Sequence, residues 1–157
     1  GTKPIDQAEK ILHDYIERES IALSVRESDE AFYNPITDSI TLPRITQFEH
    51  AETFYSTAFH ECGHSTLKAN RCDREAENKT ARFGSEDYSK EELVAEITSA
   101  AIMNHIGLET LATFNNSAAY IQNWLKALKN DKKLIISASG KAEKAARYIL
   151  NINDEKG

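Results

Sequence analysis

Apolar side chains at Ile5, Ala8, Ile11, Leu12, Tyr15 and Ile16 recur at the three- and four-residue intervals of a helix with one buried face. This spacing predicts a helix from Ile5 to about Glu19, with Asp6 and Glu9 complementing the dipole in its first turn. The pattern then turns β-like over Ile21 to Val25, Ala31 to Tyr33 and Ser39 to Leu42. Asn34-Pro35-Ile36-Thr37-Asp38 is turn chemistry, so the last two stretches are expected to pair as an antiparallel hairpin, which Pro43 ends. Helical spacing returns from about Glu49 to Lys68, with Phe54, Thr57, Ala58 and Cys62 among the packed positions. Asn70 to Asp87 is polar and poor in apolar anchors, and is expected to be a long surface loop. Ser89-Lys90-Glu91-Glu92 reads as a capping box opening an apolar helix that runs to about Ile106 and stops at Gly107. Two further helices are expected, Ala118 to Lys129 after Asn116-Ser117, and about Ser139 to Leu150 ahead of a charged tail. The fold class is therefore α+β, mainly helical, with a small antiparallel sheet ahead of the second helix.

At 157 residues the chain is expected to form a single domain, 1–157, large enough to bury a core. Gly1-Thr2-Lys3-Pro4 reads as a boundary within a longer protein. Against 25 Asp and Glu there are 19 Lys and Arg, a formal charge of −6. This argues against direct nucleic-acid binding, which needs clustered cations. Lys126, Lys129, Lys132 and Lys133 come closest to such a cluster, and they read as the solvated end of a helix. Cys62 and Cys72 are expected to be free thiols in a reducing, cytoplasmic compartment. No apolar run has the length of a membrane span, and no membrane association is expected.

The chemistry concentrates at His60-Glu61-Cys62-Gly63-His64. Residues four apart on a helix share a face, so His60 and His64 are placed to share one zinc ion. Glu61 then points beside the metal, where a carboxylate can take a proton from an activated water. A third protein ligand is needed, and His13, His50 and His105 lack a supporting neighbourhood. Glu92 and Glu96 lie one turn apart among Leu93, Val94, Ala95 and Ile97, where carboxylates need a partner or a metal. Glu92 is the expected ligand, with Glu96 accepting the free N–H of a liganding histidine. In the competing assignment Glu92 completes the Ser89 capping box and Glu96 ligates; Glu91, expected to face solvent, is the third-ranked candidate. Tyr88 is either a stabiliser of transition-state charge near the metal or a packing residue. The strand Ser39 to Leu42 is either an edge that pairs with an extended peptide or a plain structural strand. Trp124 shares a helical face with Ile121, Leu125 and Leu128 and reads as core. Arg71 and Arg74 pair with carboxylates or contact a substrate or a neighbouring domain, and the sequence does not choose.

The chain also resembles a known family along nearly its whole length. Ala31-Phe32-Tyr33-Asn34-Pro35, Asp38-Ser39-Ile40-Thr41-Leu42-Pro43, Phe48 and Tyr55-x-Thr57-x-x-His60-Glu61-x-x-His64 look like the ArdC-type antirestriction proteins. The likeness continues through Arg71-x-x-Arg74, Tyr88-x-x-Glu91-Glu92-Leu93-Val94-Ala95-Glu96, Ala119-Tyr120-Ile121-x-x-Trp124-x-x-x-Leu128 and the alanine-rich Ala142 to Leu150. The resemblance implies a carboxy-terminal zincin-like metallopeptidase domain. It further implies zinc held by His60, His64 and a later glutamate, with Glu61 as general base and an unidentified peptide or protein as substrate. In that family an amino-terminal domain binds single-stranded DNA, and the proteins are carried on plasmids, conjugative transposons and phages. Cys72 stands where the family usually has an aliphatic residue, and Ser89 where it commonly has alanine; neither is a proposed ligand.

Overall fold

The computed structural model describes residues 2–78 and 82–152. Helix α1 (Asp6–Glu19) buries Ala8, Leu12, Tyr15 and Ile16, the face its spacing marked out. It ends at Ser20 in a left-handed conformation. Three short strands follow: β1 (Ala22–Val25), β2 (Phe32–Asn34) and β3 (Ser39–Leu42). The hairpin forms as expected, with Phe32, Tyr33 and Asn34 opposite Thr41, Ile40 and Ser39 in antiparallel register. β1 instead joins β3 in parallel, so the sheet is mixed, with order β1-β3-β2. β3 is thus the central strand, paired on both sides, and its inward residues Ile40 and Leu42 are fully buried. That removes Ser39 to Leu42 as a peptide-pairing edge and leaves β2 with a free edge.

Helix α2 (Ala51–Ser65) carries the two histidines, and α4 (Glu86–His105) packs along it. Between them, Glu75–Asn78 forms the short helix α3. Helices α5 (Leu111–Ala127) and α6 (Lys132–Leu150) pack on the remaining sides of α4. One core joins α1, the sheet, α2 and the ends of α4 and α6 around Tyr15, Tyr55, Phe59, Ile102 and Met103. A smaller one gathers Leu93, Val94, Leu128, Ala138 and Ala142 at the start of α4. No described helix is long and apolar enough to cross a membrane.

Helix starts depart most from the sequence-based expectation. Ser85, not Ser89, caps α4, its hydroxyl accepting from the Tyr88 N–H, while Ser89 is buried inside the helix. Glu92 is therefore not part of a cap. Thr110 caps α5 and Asp131 caps α6, so both helices begin about two turns before the expected starts at Ala118 and Ser139. Local cap chemistry at Thr110 and Asp131 competes with many similar polar residues in the chain, and only the packed geometry selects among them.

Two features set the site's framework. The guanidinium of Arg71 donates to both carboxylate oxygens of Asp38 at 2.8 and 2.7 Å and to Glu19 at 3.0 Å, and also to the Ser65 carbonyl. It ties the hairpin turn to the ends of α1 and α2. The polar stretch after Asn70 is therefore not wholly superficial, since Arg71 and Arg74 are both buried. Lys79 in that stretch, and the charged tail after Ile152, lie outside the described residues.

The second feature is Gly63. A Cβ there would meet Ala95 Cα at 3.2 Å and Thr98 Cβ at 3.3 Å, so α2 and α4 touch nearly backbone to backbone. Gly63→Val should force the helices apart and cost about 1–3 kcal/mol. Chemical denaturation checks this, and an unchanged midpoint would refute the close-approach argument.

Candidate metal centre

His60 and His64 project from one face of α2, their ring centroids 4.8 Å apart and their planes at 83°. The facing residue on α4 is Glu92. Its carboxylate lies 3.0 Å from His64 Nε2 and 3.5 Å from His60 Nε2. One donor atom from each of these three residues falls within 4.8 Å of the others. Ligands about 2.0–2.1 Å from a tetrahedral zinc stand roughly 3.3 Å from one another, so the two imidazole–carboxylate separations bracket that edge. Two neutral imidazoles and a carboxylate are also a donor set suited to zinc and its first-row neighbours. The residues present fit a metal.

The far ring nitrogens face two different surroundings. His64 Nδ1 is hydrogen-bonded to Glu91 at 3.0 Å. Glu91 is itself held by Arg74, whose Nε and Nη2 donate to its two oxygens at 2.9 Å each. Glu91 is thus buried rather than solvent-facing, in contrast to the sequence-based expectation. The reason is the direction of approach: Arg74 enters from the segment after α2 and occupies the space beside Glu91 that solvent would otherwise fill. Glu96 lies 2.9 Å from His60 Nδ1, but off hydrogen-bonding alignment, and that nitrogen has no hydrogen-bond partner among the described residues. The sequence left Arg74 open between pairing with a carboxylate and contacting a substrate, and it did not connect Arg74 with Glu91 or Glu91 with His64. The available signal was two arginines in a segment with few apolar anchors, ahead of a helix whose apolar stretch carries several glutamates that need partners when buried.

Glu61 is 7% exposed beside the two rings. Burial raises its pKa, against the pull of His64 and His60. For His60, burial works to lower the pKa, but Glu92 and Glu96 outweigh it and push it up to about 9. His64 rises well above the ordinary histidine value, because Glu91 and Glu92 overcome its burial. Glu92 is held well below the usual carboxylate range by His60 and His64, despite the opposing effect of burial. This concentration of opposed perturbations in one cleft is the electrostatic pattern of a functional site.

The set sits where two recesses meet. One, of about 400 Å³, is lined by Phe32, Tyr33, Leu67, Asn78 and Tyr88. The other, of about 350 Å³, is lined by Thr57, Asn116, Tyr120 and Trp124. Both share Ala31, His60, Glu61 and Glu92, and among the described residues neither has Lys or Arg in its lining. Tyr88 borders the first recess, its ring against Phe83 and Trp124; burial, then Glu92 and Glu61, raise its phenol pKa. Trp124 packs on the smaller core with one side and faces the second recess with the other. Cys62 faces away from the rings into the main core, and Cys72 is likewise a buried free thiol. His13 pairs with Glu9, His50 with Glu49, and His105 borders a groove between α4 and α6; none reaches the centre.

With this geometry in place, the comparisons with known proteins decide the family. The profile described as zincin-like metallopeptidase matches residues 7–141. The chain belongs to this family. It is 43% identical over 122 residues to one DNA primase TraC of Escherichia coli, and 44% identical over 124 residues to another. It is 34% identical over 131 residues to protein y4eC of Sinorhizobium fredii (strain NBRC 101917 / NGR234). These alignments take in 78%, 79% and 83% of the chain, but 8%, 11% and 41% of the relatives. Among solved structures it is similar to the antirestriction protein ArdC from plasmid R388. The metal-free form gives a TM-score of 0.72 at 33% identity, covering 95% of this chain and 51% of ArdC. The Mn(II)-bound form gives 0.74 at 32% identity, covering 100% and 56%. The zincin-like domain thus spans about half of ArdC and a small part of the primases.

Proposed function

We propose that this zincin-like domain is a zinc-dependent peptide-bond hydrolase. The observation that carries the reading is the His60-His64-Glu92 donor set with Glu61 buried beside it, at the junction of two recesses. His60, His64 and Glu92 would hold the ion, and Glu96 stands behind His60. Glu92 is favoured over Glu96 as the third ligand because it faces the Nε2 atoms of both rings, whereas Glu96 faces only Nδ1 of His60. When bound, a zinc ion supplies Lewis acidity, polarising a carbonyl and making water easier to deprotonate. Glu61 takes the proton from the attacking water and afterwards passes it to the departing amine. Tyr88, kept in its phenol form, can donate toward the oxygen that gains charge.

The lining points to the substrate class. Among the described residues the cleft is lined by Glu61, Glu91 and Glu92 without Lys or Arg, which disfavours a phosphate backbone. Neutral or cationic polypeptide suits it better, with the free edge of β2 alongside to pair with an extended chain. Single-stranded DNA, where the whole protein engages it, is then the business of another domain, and the setting is cytoplasmic.

A second reading rests on the short coverage of relatives whose names concern DNA. In it the metal centre is non-hydrolytic and supports DNA protection through a partner domain. One experiment separates the two: zinc-loaded protein is incubated with a library of internally quenched peptides, alongside His60→Ala and His64→Ala. The hydrolytic reading expects cleavage that both substitutions and chelation abolish, with bound zinc falling from one equivalent toward none. Stoichiometric zinc with no cleavage of any peptide favours the second reading.

A further inference from the structure

The two histidines differ in what stands behind them, and the difference lies in Arg74. Its side chain is 3% exposed. It donates to both oxygens of Glu91, to Thr66 Oγ1 at 2.9 Å and to the Gly63 carbonyl at 3.1 Å. Asn78 adds a longer contact to Glu91 at 3.3 Å. Gly63 and Thr66 belong to the end of α2 and Glu91 to α4, so one guanidinium joins the two helices that supply the donor set. Glu91 in turn meets His64 Nδ1, whereas behind His60 stands Glu96, off hydrogen-bonding alignment and, among the described residues, with no arginine holding it.

We propose that Arg74 and Glu91 are a positioning pair for His64. Glu91 accepts from Nδ1–H and so leaves Nε2 as the free lone pair, aimed at Glu92 and at a shared ion. Arg74 fixes both Glu91 oxygens, so the carboxylate can neither rotate away nor swing forward to compete as a ligand. A bidentate arginine is suited to this because its planar fork sets orientation as well as charge; a lysine supplies a point charge only. His64 is then the preformed anchor of the site, and His60 is the ring that adjusts. The inference rests on His64 being a metal ligand, an assignment tested separately by the loss of zinc in His64→Ala.

The experiment measures zinc affinity by chelator competition, the melting temperature of metal-free protein, and histidine resonances of uniformly ¹⁵N-labelled protein. In the zinc-loaded wild type, His64 should show a slowly exchanging Nδ1–H with Nε2 metallated. Glu91→Gln should weaken zinc binding by about 10–100-fold, the usual effect of removing an outer-shell partner. Arg74→Met should weaken it about tenfold, Arg74→Lys less, and Arg74→Met should add little in the Glu91→Gln background, because it acts through Glu91. A merely structural pair would lower the metal-free melting temperature and leave both the affinity and the His64 resonance unchanged; that result overturns the proposal. Should the variants not fold, the wild-type spectrum decides: a His64 metallated through Nδ1 sinks the idea. If His64→Ala binds zinc as tightly as wild type, the ligand assignment fails; if only the Glu91 and Arg74 variants are silent, the positioning pair fails alone.

Discussion

Glu61→Gln should bind zinc as the wild type does and lose hydrolysis by about 10²–10⁴-fold, the range set by removing a general base. The substitution keeps the side chain's size in a site that is 7% exposed, so packing of α2 against α4 should survive. It touches none of the three donor residues. What it removes is a carboxylate that burial has made more basic than an exposed glutamate, and an amide cannot take a proton at neutral pH. Single-turnover cleavage of the best quenched peptide, together with zinc stoichiometry, separates the two effects. Full activity in a zinc-loaded variant would remove Glu61 from the mechanism; loss of zinc would mean that it supports the metal instead.

Arg71→Met should be the most destabilising of the substitutions considered, although it lies outside the donor set. It strips the Arg71 guanidinium from Asp38 and Glu19, leaving Asp38 to the Tyr33 hydroxyl and Glu19 to the Tyr148 hydroxyl and Arg18, and it frees the Ser65 and Glu19 carbonyls. Deleting one partner of a buried pair costs about 3–5 kcal/mol when the other charge is left uncompensated, and the partners that Asp38 and Glu19 keep place this loss toward the lower end. At about 2–4 °C per kcal/mol for a domain of this size, the loss should be plain in a melting curve. The same hub gives a pH signature. Hydrogen bonding to Arg71 lowers the Asp38 pKa, with burial opposing and Tyr33 adding. A lowered folded-state pKa means the contribution is complete above the unfolded value of about 3.9 and is lost as the pH falls through the lower folded value. Wild-type stability should therefore drop across that acidic window, and the drop should shrink in Arg71→Met. Equal acid sensitivity in both proteins would show that Asp38 draws its stabilisation from elsewhere.

The two experiments bear on different links between sequence and structure. The His60–His64 spacing was legible because helical periodicity is local: residues four apart share a face wherever the helix lies. The hairpin between Phe32 and Leu42 was legible for the same reason, since the Asn34 to Asp38 turn brings neighbours in sequence together. The pairing of β1 was not. A parallel partner comes through a crossover, and nothing in Ala22 to Val25 records which strand it will meet. That pairing placed β3 in the centre and left β1 and β2 as the edges, so β2, which lines the cleft, and not β3 can offer itself to a peptide there.

The glutamates of α4 show the same division. Their spacing puts Glu92 and Glu96 one turn apart on a shared face, and Glu91 about 100° away from Glu92 around the helix. Composition alone sent Glu91 to solvent, because the chain carries no mark of where α4 is rotated against α2. The rotation depends on Gly63 lying 3.2 Å, as a would-be Cβ, from Ala95, and on Arg74 arriving from a segment that looked superficial. By itself, then, the sequence determined the class of fold, the paired histidines and the carboxylate between them, all consequences of short-range periodicity. Only the tertiary structure decided which acidic side chain faces both rings, which one stands behind His64, and which strand borders the cleft. Those depend on contacts between segments far apart in the chain, whose geometry is set by packing.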